Sequence, residues 1–483
     1  MCILAIDQGT TGTTTILYSQ TGTIIDKAYR EFPQYYPKPG WVEHNAMEIW
    51  QTVLDTVQEI LERNTIKIEA IGITNQRETT ILWDKHTHEP LHNAIVWQCR
   101  RTTEMCDEFK HSTEMITEKT GLPLDAYFSA TKIKWLLNNA SNVSPDNIVF
   151  GTIDTWLIWK LTGGQVHATD HTNASRTLLY NIAQKKWDED LLNLFNIPAS
   201  ILPEVKCSID AYGTVQSIAK LQGVPIYAVA GDQQAALFGQ TCFHPGMIKN
   251  TYGTGCFMVM NTGNNLIRSK NGLVTTLAVD GNGNACYALE GSIFIAGAAI
   301  QWLRDELKLI EKASDSEQIA YSVEDNHGVY FVPAFVGLAA PHWNMAARGT
   351  ITGLTRGANK AHIIRAALEA MAYQSYDVFT IMQNEMKVDV PKLMVDGGAV
   401  MNNFLMQFQA DILNKPVLVP NNIESTSLGV AMMAGLKAGI WRSYIDLEAL
   451  KHYDKTFIPT MNEPSRQKLI DGWHKALKQT LLL

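Results

Sequence analysis

The sequence predicts an α/β protein with two similar domains around a central cleft. Strands and helices alternate along its 483 residues, which is typical of the α/β class. A strand–turn–strand unit over residues 3–18 recurs at residues 247–261, around a second glycine- and threonine-rich turn. No low-complexity linker separates the halves. We therefore expect domains 1–247 and 248–483 that meet at a packed hinge.

The opening unit is predicted as two strands because its apolar, β-branched residues are broken by a glycine- and threonine-rich turn. Glycine lets the backbone approach a ligand closely, and the turn amides with the Thr10 and Thr11 hydroxyls can surround a phosphate. Asp7, at the end of the first strand, can hold a divalent cation directly or through water. An ordinary polar hairpin turn is the alternative.

The remaining first half alternates between apolar strands and amphipathic helices. Its longest helix is predicted to begin after Asn45 as N-cap, with Glu48 completing a capping box. In order, the predicted elements are a strand at 23–30, a helix at 45–63, strands at 68–74 and 79–83, a helix at 152–160, a strand at 226–230 and a short helix after it.

The second half repeats this alternation after its own strand–turn–strand unit. Its predicted elements are strands at 247–252 and 256–261, helices at 295–309 and 361–385, a strand at 392–395, and helices at 403–413, 425–439 and 465–482. Four predicted strands of the whole chain end in acidic or glycine turns that contain Asp7, Asp232, Thr254 and Asp396. Ligands gather at the carboxyl ends of strands in α/β proteins, so we expect a nucleotide between the domains. The sequence lacks both the P-loop and the dinucleotide-binding glycine pattern.

Composition narrows the class of partner. A hydrophobic content of 46% with 18% charged residues fits a folded protein with sizeable cores. The net charge of −8 argues against nucleic acid as a partner. Seven cysteines without a Cys-x-x-Cys pair favour a reducing cytoplasm. Because neither a signal-peptide pattern nor a membrane-length apolar run is present, we expect a cytoplasmic protein without a membrane partner.

Sequence blocks along nearly the whole chain resemble the FGGY family of carbohydrate kinases, whose fold is shared with actin, Hsp70 and hexokinase. The resemblance implies two similar ribonuclease-H/actin-like ATPase domains. NQRETT (75–80), WQCRR (97–101) and GDQQAALFGQ (231–240) favour the glycerol-phosphorylating branch over pentulose and gluconate kinases. The other matching blocks are DQGTTG (7–12), KPGWVEHNAMEIW (38–50), GTIDTWLIWKLT (151–162), NTYGTGCFMVMNTG (250–263), AGAAIQWLRDE (296–306) and DGGAVMNNFLMQFQADIL (396–413).

This resemblance implies transfer of the γ-phosphoryl group of ATP to glycerol, giving sn-glycerol 3-phosphate, the first step of glycerol utilisation. Asp232 matches the family's catalytic base, and the alternative for this residue is a helix N-cap. Mg²⁺ is implied with ATP, and Asp7 and Asp232 are its expected partners, through water. Family members form dimers and tetramers, so a homodimer or homotetramer is expected.

The residues that match the family's substrate contacts combine hydrogen-bonding groups with aromatic walls. Arg77 can donate to hydroxyl oxygens and Glu78 can accept hydroxyl protons, although such a pair is more often solvated. The aromatic members have a core position as their alternative, and Gly297 and Gln301 have a packed helix face. The glycerol contacts are Thr10, Arg77, Glu78, Trp97, Tyr127, Asp232, Gln233 and Phe257. The nucleotide contacts are Thr10, Thr11, Gly12, Thr14, Thr254, Gly297, Gln301, Gly398 and Asn402.

The chain departs from the family pattern at two positions. Thr14 stands where family members commonly carry an arginine that contacts phosphate, so one phosphate cation is missing. Ala339 replaces a glycine that we expect to need unusual backbone angles. Residues 207–230 contain no histidine, so control by histidine phosphorylation in that region is not expected.

Three other interpretations remain at this level. A kinase of a related polyol or a ketose such as xylulose is opposed by Arg77, Glu78 and Trp97. A nucleotide-gated binding protein of the Hsp70 or actin type would lack the NQRE segment. A catalytically silent relative, suggested by Thr14 and Ala339, is opposed by the retention of the acidic residues Asp7, Glu78 and Asp232 together with Arg77.

Overall fold

The computed structural model describes residues 1–139 and 143–482. Its strands are β1 (Cys2–Gln8), β2 (Gly12–Ser19), β3 (Ile24–Glu31), β4 (Glu43–His44), β5 (Ile68–Asn75), β6 (Ile81–Asp84), β7 (Ala94–Ile95), β8 (Ile148–Gly151), β9 (Ala168–Asp170), β10 (Tyr180–Asn181), β11 (Lys186–Trp187), β12 (Glu204–Lys206), β13 (Ile226–Gly231), β14 (Ile248–Tyr252), β15 (Cys256–Gly263), β16 (Val274–Val279), β17 (Ala285–Ile293), β18 (Tyr330–Val332), β19 (Thr350–Thr352), β20 (Leu393–Asp396), β21 (Val417–Pro420) and β22 (Tyr453–Phe457).

Helices cover the sheets formed by these strands. They are α1 (Ala46–Arg63), α2 (Thr103–Glu108), α3 (Thr113–Thr120), α4 (Ser129–Asn139), α5 (Ile153–Leu161), α6 (His171–Ala174), α7 (Glu189–Phe195), α8 (Asp232–Gly239), α9 (Gly297–Asp305), α10 (Asp315–Tyr321), α11 (Lys360–Met386), α12 (Asn403–Leu413), α13 (Ser425–Lys437), α14 (Tyr444–Ala449) and α15 (Glu463–Leu481). Short 3₁₀ turns lie at Lys110–Ser112, Pro145–Asn147, Ala199–Ile201, Ala219–Leu221 and Gly398–Met401.

The two large sheets share one plan. In the first, with the order β13-β5-β1-β2-β3, β1 pairs antiparallel with β2 and parallel with β5. In the second, with the order β16-β17-β15-β14-β20-β21-β22, β14 pairs antiparallel with β15 and parallel with β20. We call the parts of the chain that carry these sheets the first and second lobes. The predicted α/β class and the predicted repeat of the opening unit are confirmed.

Two crossing helices join the lobes. Helix α8 follows a strand of the first sheet but packs on β14, β15 and β16, whereas α13 packs on β1, β5 and β13. The helices meet at Gly239 and Gly429, where an added Cβ would overlap the carbonyl oxygens of Ser425 and Ala235. Only glycine permits this close crossing, since any side chain would push the two helices apart. The lobes are therefore joined by packed helices around a cleft.

Local predictions near α1 are partly confirmed. Asn45 is the N-cap, and its side chain accepts a hydrogen bond from the Met47 amide at 2.9 Å. The predicted capping box is wrong, because Glu48 instead accepts from the Tyr35 hydroxyl at 2.7 Å. The expectation for Ala339 is also wrong. Its φ is not positive, whereas the nearby Gly337 has a φ of 88°.

The β16–β17 hairpin is the largest element that the sequence did not predict. All of β16 and most of β17 are buried, so neither strand shows the alternation of polar and apolar residues that predicts a half-buried strand. The helix predicted at 295–309 is shorter and spans Gly297–Asp305. Across the described ranges, no helix has both the length and the apolar composition required to cross a membrane.

Candidate active site

A cavity of about 390 Å³ lies between the lobes, beyond the ends of β1, β5 and β13. Gln8, Asn75 and Gly231 are in register across these strands, so the segments that follow them emerge side by side. The second lobe closes the cavity with the turn between β14 and β15. The predicted residues that line this cavity are Thr10, Thr11, Arg77, Glu78, Trp97, Tyr127, Asp232, Gln233, Thr254 and Phe257.

The loop after β5 directs two successive charged side chains towards this cavity. Glu78 has a φ of 60°, in the left-handed region, whereas an extended strand would send neighbouring side chains to opposite faces. The Thr80 and Ser129 hydroxyls donate to the Glu78 carbonyl at 2.9 and 3.0 Å and stabilise this turn. Arg77 and Glu78 are 3% and 1% exposed, so the alternative of a solvated surface pair is wrong.

A buried ion network behind the cavity fixes both side chains. The Arg77 guanidinium donates to both carboxylate oxygens of Glu290 at 2.6 and 3.0 Å. Arg176 donates from Nε to Glu78 at 2.6 Å and from Nη2 to Glu290 at 3.1 Å. Burial alone would raise the pKa of Glu290, but the two neighbouring guanidinium groups lower that pKa to about 2. Because Glu290 lies on β17, the network also links the second lobe to the first.

Asp232 is the first residue of α8, at the end of β13. Arg77 Nε lies 3.1 Å from Asp232 Oδ1, and 29% of the Asp232 side chain is exposed. The N-cap of α8 is Gly231, so the interpretation of Asp232 as that N-cap is wrong. The helix N-terminus and the adjacent guanidinium both stabilise a negative charge on this carboxylate.

Aromatic side chains from both lobes form the wall of the cavity. The ring centroid of Trp97 lies 5.5 Å from that of Tyr127 and 6.4 Å from that of Phe257. The indole Nε1 of Trp97 donates to Thr10 Oγ1 at 2.9 Å and ties this wall to the first turn. Trp97 and Phe257 are half-buried and line the cavity, so neither is solely a core residue.

A second cavity of about 480 Å³ adjoins the first in the second lobe. Gly253 and Thr254 line both cavities, so the turn between β14 and β15 separates them. Gln301 is exposed rather than packed in the core, and a Cβ on Gly398 would meet no atom within 4 Å. The predicted nucleotide contacts that line this cavity are Thr254, Gly297, Gln301, Gly398 and Asn402.

The structure does not bring every predicted residue into these linings. Asp7, Gly12 and Thr14 line neither cavity, and Asp7 pairs with Thr14 across β1 and β2. Gly12 is required by packing, since a Cβ there would lie 2.6 Å from the Arg30 carbonyl oxygen. Burial, and after it the negative charge of Asp232, raise the pKa of Asp7 to about 8.

Asp7, near the end of β1, and Asp232, just after β13, therefore interact as like charges at the same edge of the sheet, with β5 between their strands. Such a pair suits a cation that would neutralise it, and carboxylate oxygens are ligands that Mg²⁺ accepts. In the part of the chain that the structure describes, no cluster of three or more acidic, histidine or cysteine side chains could hold a metal ion alone. The two carboxylates therefore suit a cation whose remaining ligands are water or substrate oxygens.

Several residues beside the cavity were missed by the sequence analysis. Arg176 and Glu290 complete the ion network, and Lys249 donates to the side chain of Gln233. Glu290 carried a usable signal, because a charged residue inside an apolar strand sequence requires a buried partner. Lys249 carried the same signal, since it stands in the strand predicted at 247–252, whereas Arg176 carried no comparable local signal.

Comparison with known proteins gives a consistent result. Residues 2–239 match the N-terminal domain of the FGGY family of carbohydrate kinases, and residues 248–438 match its C-terminal domain. The chain is 57% identical to a glycerol kinase from Carboxydothermus hydrogenoformans, over 98% of this chain and 97% of that protein.

Solved structures extend the comparison to the fold. A Plasmodium falciparum glycerol kinase with ADP superposes with a TM-score of 0.91 at 39% identity, covering 99% of this chain and 98% of the other. A ligand-bound xylulose kinase from Lactobacillus acidophilus has a TM-score of 0.87 at 22% identity, over 98% of this chain and 97% of the other, and at that identity shares the fold alone. From the family matches over both halves and the full-length identity, the chain belongs to the FGGY family of carbohydrate kinases.

Proposed function

We propose that this chain transfers the γ-phosphoryl group of ATP to a terminal hydroxyl of glycerol, releasing ADP and sn-glycerol 3-phosphate. The observation that carries the proposal is the buried Arg77–Glu78 pair facing Asp232 in a small cavity that adjoins a nucleotide-sized one. The full-length relatives named above as glycerol kinases support the same substrate.

Glycerol suits the cavity because the site alternates hydrogen-bond donors and acceptors against an aromatic wall. Arg77 would donate to the hydroxyl oxygens, and Glu78 would accept a hydroxyl proton with the oxygen that Arg176 leaves free. Trp97 and Phe257 would pack against the carbon chain. A buried Arg–Glu pair discriminates strongly against a ligand that lacks the matching hydroxyls, since unpaired buried charges are costly.

Asp232 is proposed as the general base. Its carboxylate would accept the proton of the terminal hydroxyl while that oxygen attacks the γ-phosphorus of ATP. The new O–P bond forms as the bond between the γ-phosphorus and the β,γ-bridging oxygen breaks, and ADP leaves with the electron pair. Because part of the Asp232 side chain is exposed, the proton can then pass to solvent.

The two turns at the cleft are proposed to hold the phosphates from opposite sides. Thr10 and Thr11 offer hydroxyls from the first lobe, and the turn at Gly253 and Thr254 offers amides from the second. Asp7 and Asp232 would hold Mg²⁺ through water. When bound, this ion neutralises charge on the phosphate oxygens.

Three further features are proposed at the level of the whole protein. The break between the matched family segments supports a domain boundary between residues 247 and 248. Six of the seven cysteines are buried and all are free, which supports the cytoplasm as the compartment. A homodimer or homotetramer is proposed from the family resemblance, and light scattering after gel filtration measures it.

A substrate panel tests the proposed reaction. ADP release is measured by a coupled assay with glycerol, dihydroxyacetone and xylulose, and a reaction without acceptor gives the background hydrolysis of ATP. We expect the highest kcat/KM with glycerol. Turnover of xylulose far above that of glycerol would overturn the proposed substrate while leaving the family assignment intact.

A further inference from the structure

Lys249 is a buried lysine directly behind the wall of the glycerol cavity. It lies on β14, is 0% exposed and does not itself line the cavity. Its ammonium group donates to Gln233 Oε1 at 2.5 Å, to Thr251 Oγ1 at 2.8 Å and to the Phe257 carbonyl oxygen at 3.3 Å. The three N–H groups thus meet three acceptors, and each acceptor belongs to a residue that lines the cavity.

These contacts determine which polar atoms Gln233 and Thr251 can present to a ligand. An ammonium group only donates, so the atom of Gln233 that faces Lys249 must be the carbonyl oxygen. The amide Nε2, with its two hydrogens, then has to point away from Lys249. In the same way, Thr251 accepts from Lys249 with its oxygen, which leaves its hydroxyl hydrogen free to donate elsewhere.

The cost of burying this lysine indicates that it serves the site. None of its three acceptors is a carboxylate, although a buried ammonium is most stable beside one. Burial lowers the pKa of Lys249 to about 8, while Asp396, Asp232 and Glu290 act to raise it and Arg77 to lower it. An apolar side chain of similar length would fill this position without that desolvation cost.

We propose that Lys249 is a positioning residue that holds Gln233 and Thr251 as hydrogen-bond donors towards the substrate oxygens in the cleft. The inference rests on the proposed function, since it assigns these donors to a glycerol hydroxyl and to the transferred phosphoryl group. Gln233 is the second residue of α8, which follows β13 of the first sheet, and Lys249 lies on β14 of the second sheet, so the contact ties the orientation of Gln233 to the second lobe.

Lys249→Met tests the proposal, with Lys451→Met as the matched control. Burial also lowers the pKa of Lys451 to about 8. Its ammonium group, however, donates to the Gly239 carbonyl, and the side chain lines a separate cavity between the β2–β3 turn and α13. Loss of an oriented donor to a polar ligand atom should raise the glycerol KM about tenfold in Lys249→Met. The dissociation constant of ADP, whose proposed adenosine contacts lie in the second cavity, should change less than about twofold, and Lys451→Met should leave both constants unchanged.

A double-mutant cycle separates positioning from a structural role. If Lys249 acts through Gln233, Lys249→Met should cost less than about threefold in glycerol KM on top of Gln233→Ala. Full additivity of the two substitutions would overturn the proposal. So would an unchanged glycerol KM in Lys249→Met while the wild type phosphorylates glycerol.

Gln233→Glu provides a second test that leaves Lys249 in place, so its outcome does not depend on whether Lys249→Met folds. This substitution keeps an acceptor for the ammonium and adds an ion pair, but it replaces the donor that faces the cavity by an acceptor. We expect the glycerol KM to rise at least as much as in Gln233→Ala. A wild-type KM in Gln233→Glu contradicts the positioning role, whereas a wild type without glycerol-dependent ADP formation overturns the proposed function and this inference with it.

Discussion

Replacing Glu290 by glutamine tests the idea that a buried carboxylate from the second lobe anchors Arg77, the arginine proposed to bind glycerol. The substitution keeps the shape of the side chain but leaves Arg77 and Arg176 with one carboxylate fewer between them. The pKa of Glu290 lies at about 2, against an ordinary value of 4.5, so its ionised form is stabilised by about 3 kcal/mol. Breaking a buried ion pair by removal of one partner costs roughly 3–5 kcal/mol, which agrees with that figure.

Two measurements on Glu290→Gln follow from this magnitude. Urea denaturation at neutral pH should give a free energy of unfolding lower by about 3 kcal/mol than that of the wild type. The coupled assay should give a glycerol KM raised by about tenfold or more, because Arg77 loses the carboxylate that fixes both of its terminal nitrogens.

Glu369→Gln is the matched control for this experiment. Glu369 is also a buried carboxylate paired with an arginine, since Arg365 Nε donates to it at 2.8 Å within α11. This control should lose stability without any change in glycerol KM, because the pair lies in the core of the second lobe. The reasoning is refuted if Glu290→Gln retains the wild-type stability and KM, or if Glu369→Gln raises the glycerol KM to the same extent.

Three further predictions follow. Thr14→Arg should tighten ADP binding about tenfold, as measured by calorimetric titration, because a guanidinium beside Asp7 adds a charge-assisted contact to phosphate; unchanged or weaker binding contradicts it. Burial lowers the pKa of His44 from 6.5 to about 3, so the folded state favours neutral imidazole and loses stability as the pH falls below 6.5. By about pH 5 this loss should reach roughly 2 kcal/mol in urea denaturation and be absent in His44→Gln, and parallel pH profiles for the two proteins would argue against it. Small-angle scattering should show a smaller radius of gyration with glycerol plus a non-hydrolysable ATP analogue, since a phosphoryl-transfer site must exclude water, and an unchanged radius counts against a large closure.

The sequence predicted what is encoded locally. The opening strand–turn–strand unit and its repeat follow from short apolar segments interrupted by glycine and threonine, and both are present in the structure. The Arg77–Glu78 segment was placed at a strand end by the same reasoning, and the family resemblance supplied its proposed role. Asn45 was identified as an N-cap because capping depends on neighbouring residues only.

What the sequence could not provide depends on partners that are far apart along the chain. Arg77 and Glu290 are 213 residues apart, and a single sequence contains no signal that such residues meet. The capping-box prediction failed for a related reason, because Tyr35 competes for the Glu48 carboxylate from another segment. The expectation for Ala339 failed because the left-handed backbone falls at the nearby Gly337 instead.

The most direct test of the central claim is the rate of glycerol-dependent ADP formation by Asp232→Asn beside the wild type. The substitution keeps the shape of the side chain and removes the only proposed proton acceptor. A general base contributes about 10²–10⁴-fold to a rate, so kcat should fall by at least about a hundredfold while ADP binding and the melting temperature stay close to the wild type. A kcat near that of the wild type would contradict the assignment of Asp232 as the base on which the proposed reaction depends.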